Sequence, residues 1–165
     1  MMNVPKSKLL PITSNVNEQG HLEIGGCDVV ELGRYFGTPL YIYDKNTIVE
    51  QARVFREEFR QLQPQAEVIY ACKVFLNLGL SRLLIDNGLG FDVVSGGELN
   101  VVRTAEVSPS KVYFHGNNKL RSELEEAVSW GIARIVVDNI DEIHLLNEIA
   151  GALGKTQEVL VRVSP

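Results

Sequence analysis

From Val68 onward, short apolar, β-branched runs return along the chain at a near-constant interval. They begin at Val68 ("VIYAC"), Phe91 ("FDVV"), Val112 ("VYFH"), Ile135 ("IVVD") and Val159 ("VLVRV"), spaced 23, 21, 23 and 24 residues apart. Runs this short and this continuously apolar predict strands of a parallel sheet covered on its outer face by helices. Helical spacing fills the gaps between them. Leu80, Leu83 and Leu84 mark one helix, closed by Asn87-Gly88, and Leu99 with Val102 marks a shorter one. Leu120, Leu124, Ala127 and Val128 predict a third, stopped by Gly131. Ile140, Ile143, Leu146, Ile149 and Leu153 predict a fourth, with Asp138 or Asn139 as its cap.

Upstream the texture differs. Residues 1–20 are polar without periodicity and read as a tail. Residues 21–43 hold "HLEIGGCDVVEL", a short strand, a Gly25-Gly26 turn and a second strand or helix start. "RYFGTPLYIYD" follows, with a turn at Gly37-Thr38-Pro39 and a further extended run. Ile48, Ala52, Phe55, Phe59 and Leu62 then recur at helical spacing behind Asp44 as N-cap, and Pro64 ends that helix.

Strand–helix alternation with continuous apolar strands defines an α/β chain built on a parallel sheet. A doubly wound open sheet and a (β/α)8 barrel both satisfy the pattern. The regular period and short loops favour the barrel, whose eight units take about 250 residues. Residues 44–165 supply five strands, so they are expected to form the front half of a barrel belonging to a longer parent. Half a barrel leaves open sheet edges, and the 165 residues alone are expected to be inactive.

Composition narrows the classes. The chain is 45% apolar, enough for a core, and its net charge of −5 argues against a nucleic-acid footprint. No apolar run approaches the about 20 residues of a membrane span, and the N-terminus has no apolar signal core. Cys27 and Cys72 lie far apart without CxxC spacing, which supports neither a disulfide framework nor a metal site. The expected setting is the cytoplasm.

In parallel α/β folds chemistry gathers beyond the carboxyl ends of the strands. Lys73 follows the first run, Asp92 lies in the second, and Ser95-Gly96-Gly97-Glu98 comes next. His115 follows the third run, Asp138 ends the fourth, and Arg162 sits inside the fifth. Each alone has an ordinary reading: Lys73 as a solvated cation, Asp92 and His115 as loop residues, Asp138 as a helix cap. Arg162 is harder to explain, because a guanidinium among valines needs an acidic or anionic partner. Leu160 and Ser164 would share its face, and an anionic ligand would supply the partner.

Together, "YACK", "GFDVVSGGEL", "FHGNNK" and "VLVRVSP", in this order and spacing, resemble the pyridoxal-phosphate-dependent decarboxylases of the alanine-racemase-like barrel fold (fold type III). "HLEIGG" and "YFGTPLYIYD" resemble the segment that precedes the barrel in that family and goes with its β domain. The SGGEL loop and the HGNN turn point to the diaminopimelate branch more than to the ornithine branch. The resemblance implies that Lys73 is the lysine that joins the aldehyde of pyridoxal 5'-phosphate. It implies further that Asp92 lies close to it, that Arg162 neighbours the ring's phenolic oxygen, and that His115 supports the cofactor. The implied reaction is decarboxylation of meso-diaminopimelate to L-lysine by a homodimer. Ornithine, arginine or carboxynorspermidine are the alternative substrates, and a non-catalytic pyridoxal-phosphate barrel is the alternative class. There are two departures from the family pattern: Val74-Phe75 replaces Ala-Asn after the lysine, and Leu120 replaces a serine, which weakens a helix cap.

Overall fold

The structure, a computed structural model, describes residues 9–163. It divides into two compact units, Met1–Leu62 and Gln63–Pro165. Ser164, expected on the face of Arg162, lies outside the described residues.

The first unit carries a three-stranded antiparallel sheet, β1 (Asn15–Val16), β2 (Leu22–Ile24) and β3 (Cys27–Asp28), in that order. The polar stretch before Gly20, which shows no periodic pattern, thus supplies a strand. Gly25 and Gly26 both have positive φ, 59° and 80°. That is the backbone a two-residue hairpin requires and a β-carbon resists. Helix α1 (Val29–Phe36) starts on Asp28, whose Oδ1 accepts the Val30 and Glu31 N–H groups. Its other oxygen, Oδ2, accepts from Asn17 Nδ2 (2.7 Å) and lies 2.8 Å from His21 Nδ1. Helix α2 (Lys45–Leu62) has the expected extent, and Asp44 caps it by accepting the Thr47 N–H (2.9 Å). The extended run expected at 40–43 joins no sheet, and Thr38-Pro39 before it is cis.

The second unit is a five-stranded parallel sheet in sequential order: β4 (Ile69–Ala71), β5 (Gly90–Val93), β6 (Val112–Phe114), β7 (Arg134–Val137) and β8 (Val159–Val161). Each lies within two residues of its expected start. Helices α3 (Leu78–Asp86), α4 (Gly96–Thr104), α5 (Arg121–Trp130) and α6 (Ile140–Ala152) connect them. Register places Phe91 beside Val112 and Val93 beside Phe114, and all four are fully buried on the helix-covered face with Leu84, Leu99, Leu124 and Ile149. Gly131 ends α5 in the left-handed region at φ 77°.

Asp92, Tyr113 and Arg134 lie level across three strands on the opposite face. At the amino end of that face the charges satisfy one another. Lys111 pairs with Glu67, and Tyr113 donates to Glu67 Oε2 (3.3 Å). Arg134 donates to the Tyr113 hydroxyl (3.1 Å) and pairs with Glu158 (3.0 Å).

Three expectations change. Asp138 is not the cap of α6; Asn139 is, its Oδ1 accepting the Glu142 N–H at 2.8 Å. Leu120 does not join the apolar face of α5 but precedes the helix as an exposed N-cap residue that offers no side-chain acceptor. Cys72 sits in a 3₁₀ turn, Cys72–Val74, just past β4 rather than inside the strand.

Candidate active site

Lys73 is carried on the turn that follows β4. The Tyr70 hydroxyl donates to the Phe75 carbonyl (2.8 Å), closing the loop around it. Cys72 beneath is buried, and desolvation, with the charges of Glu98 and Asp92 adding to it, pushes its thiol up to about 12. It is therefore a packing residue and not a nucleophile at neutral pH. Lys73 itself is exposed, and Val74 next to it is 70% exposed. Among the described residues no side chain hydrogen-bonds or ion-pairs with the Lys73 amine.

Two acid–base pairs stand at the same ends of the neighbouring strands. Asp92 Oδ2 lies 3.5 Å from His115 Nδ1, across β5 and the end of β6. His115 is two residues beyond Tyr113 and so continues the open face of the sheet. Arg162 follows β8 and donates through Nη1 to Asp138 Oδ1 at 2.9 Å. The partner that Arg162 was expected to find in an anionic ligand is thus Asp138. Its side chain is 49% exposed rather than sealed among valines.

Beneath the rim a repeated local device sets the loops. Ser95 Oγ accepts the Glu98 N–H (3.2 Å), and the Glu98 carboxylate accepts the Val94 N–H (2.8 Å). Glu123 accepts the N–H groups of Leu120 (2.8 Å) and Gly96 (2.6 Å), joining the starts of α4 and α5. Glu142 accepts the Asp138 N–H (3.1 Å) at the start of α6. Each is the third residue of its helix, where a carboxylate can reach back to unsatisfied N–H groups. Residue-type reading passed over Glu123 and Glu142. The recurring spacing of cap and glutamate, 95/98, 120/123 and 139/142, is the signal that finds them.

Lys119 was also passed over, although it ends the "FHGNNK" turn. Its amine lies 2.7 Å from Glu142 Oε1 and donates to the carbonyls of Val136 (2.9 Å) and Gly116. No group of three or more metal-ligating side chains occurs among the described residues, and no helix among them is long and apolar enough to cross a membrane.

A parallel sheet carrying an unpaired amine past its first strand, and an imidazole and a guanidinium past later ones, gathers a nucleophile and basic groups toward one end of its strands. Residues 45–165 match the family model described as "Pyridoxal-dependent decarboxylase, pyridoxal binding domain". The chain belongs to that family. It is 46% identical over 153 residues to the diaminopimelate decarboxylase of Bacillus methanolicus, an alignment covering 93% of this chain and 35% of the relative. The structure of diaminopimelate decarboxylase from M. jannaschii in complex with L-lysine superposes with TM-score 0.81 at 34% identity, over 92% of this chain and 36% of that one. Lysine/ornithine decarboxylase of Vibrio vulnificus, bound to putrescine, gives 0.64 at 25%, over 82% and 35%. The chain thus spans about a third of the length of the relatives it matches, and its five parallel strands correspond to the front half of the (β/α)8 barrel.

The cofactor of this domain is pyridoxal 5'-phosphate. The donor set fits it. An aldehyde calls for a free amine, which Lys73 presents, and an anionic ring oxygen calls for a nearby cation, which Arg162 presents.

Proposed function

We propose that the protein carrying this chain decarboxylates meso-diaminopimelate to L-lysine with pyridoxal 5'-phosphate. The observation that carries the reading is the unpartnered Lys73 amine just past β4, toward the same end of the strands as the Asp92–His115 and Asp138–Arg162 pairs. Diaminopimelate is favoured over ornithine, arginine or carboxynorspermidine because the diaminopimelate decarboxylases named above are more similar to this chain than the lysine/ornithine enzyme.

Lys73 would hold the aldehyde of the cofactor, its amine free of competing pairs. Asp92 faces His115 and fixes the orientation of the imidazole, which then presents its outer nitrogen to the ligand. Arg162, held by Asp138, carries a permanent positive charge that would balance an anionic oxygen of the cofactor. Bound there, the cofactor supplies an electron sink for the pair left when carbon dioxide departs. The remaining substrate contacts fall to chain beyond these residues, and the 165 residues alone should show no turnover. Residues 44–165 are read as the first part of the barrel. Residues 21–43, together with the strand at Asn15–Val16, go with a β domain of the parent. A cytoplasmic homodimer is the assembly this reading expects.

The test is carbon dioxide release and lysine formation by the full-length protein from meso-diaminopimelate, with ornithine, arginine and carboxynorspermidine in parallel. Lys73→Ala should abolish both turnover and the yellow absorbance of the bound cofactor. Release from another amino acid without lysine formation would replace the substrate. A Lys73→Ala protein with full colour and turnover would remove the lysine from the mechanism.

A further inference from the structure

Lys119 and Glu142 form the one ion pair in the second unit whose two side chains are both nearly sealed from water among the described residues, at 1% and 7% exposure. Burying two charges is costly, and an apolar pair of equal volume is commonly as stable. What distinguishes the pair is the set of backbone groups it holds. Lys119 Nζ donates to the Gly116 carbonyl, next to His115, and to the Val136 carbonyl near the end of β7. Glu142 Oε2 accepts the N–H of Asp138, the residue that anchors Arg162. Gly116 stands at φ 118°, where an added β-carbon would lie 3.3 Å from the Val94 carbonyl, so the turn beside His115 is built around a glycine. Phe114 lies under the ammonium at 5.8 Å.

We propose that the Lys119–Glu142 pair is a positioning bracket that spans β6 and β7 and holds His115 and Asp138–Arg162 at their working separation. The proposal rests on the reading of this rim as the cofactor site. Lys119 and Glu142 act through backbone groups and touch neither cofactor nor substrate. A methyl-ended pair would fill the same volume yet leave the Gly116 and Val136 carbonyls without a donor and the Asp138 N–H without an acceptor.

Two variants of the full-length protein test this, Lys119→Met/Glu142→Met and Glu142→Gln. The readouts are pyridoxal 5'-phosphate affinity from the visible absorbance and circular dichroism of the bound cofactor, and amide exchange at Asp138 and Gly116 in the cofactor-free protein. Neither requires a substrate, so a wrong substrate assignment leaves the result intact, whereas wild-type protein that takes up no cofactor would overturn the cofactor-site reading itself. The apolar pair should melt below wild type, because three backbone groups lose their partners, exchange the Asp138 amide at least about tenfold faster and bind the cofactor at least about tenfold more weakly. Glu142→Gln keeps an acceptor for the Asp138 N–H and should stay within about threefold of wild type on both measures. If the apolar pair does not fold, Glu142→Gln decides alone. In any folded variant the two measures must move together. Cofactor affinity lost while Asp138 stays protected, or protection lost while affinity and dichroism stay at wild type, overturns the bracket.

Discussion

Glu123 offers a quantitative test of how the loops around the site are held. It accepts the Gly96 N–H (2.6 Å), partly buried, and the exposed Leu120 N–H (2.8 Å). In Glu123→Ala both donors lose a charged acceptor. Water reaches the exposed Leu120 N–H, so that loss costs about 0.5–1 kcal/mol, as for a helix cap. The Gly96 N–H is shielded, and losing a hydrogen bond to a charged group there costs about 1.5–2 kcal/mol. The sum, about 2–3 kcal/mol, should move the urea midpoint down by roughly 1 M at a slope near 2 kcal/mol/M. Glu123→Gln keeps a neutral oxygen for one donor and should lose about half as much. Far-UV circular dichroism against urea reads both variants. A shift in Glu123→Ala below roughly 0.3 M would refute the assignment of this carboxylate as a clasp between α4 and α5.

In the first unit, burial raises the Asp28 carboxyl, but hydrogen bonds from His21, Asn17 and the Val30 and Glu31 N–H groups outweigh it and bring the group from 3.8 down to about 2. A depressed carboxyl stabilises the fold above its unfolded value and loses that contribution as pH falls from about 4 through about 2. Asp28→Asn should therefore show a smaller loss of structure across that interval in an acid titration, and identical curves would exclude the network as the cause. Arg162→Met should barely change the melting temperature, since a half-exposed pair contributes at most about 1 kcal/mol. It should nonetheless weaken cofactor binding, measured by absorbance titration, and unaltered affinity would take Arg162 out of the site.

Much of the architecture was legible because burial leaves a periodic trace. The five strands and four connecting helices of the second unit follow apolar spacing, and Leu99 and Val102, only two positions, still marked a helix whose inner face is fully buried. The segment before Gly20 left no trace because a two-residue strand paired at one edge buries too little to impose alternation. Asp138 and Asn139 were equally good caps by residue type. The choice went to Asn139 because Asp138 is drawn to Arg162 from a strand 24 residues later.

Residue order along the chain thus carries what is local and repetitive: the strand–helix alternation, the helix starts and the presence of Lys73, Asp92, His115 and Arg162 at successive strand ends. Their partners are another matter. Asp92 with His115, Asp138 with Arg162, Glu123 with Gly96 and Lys119 with Glu142 are each joined across 23 to 27 residues. Such pairings depend on strand register and on which face of the sheet each side chain takes, and a shift of one residue would reverse that face. Burial then set the weight of each contact. The exposed Arg162–Asp138 pair adds little to stability, while the sealed Lys119–Glu142 pair holds three backbone groups, the Gly116 and Val136 carbonyls and the Asp138 N–H.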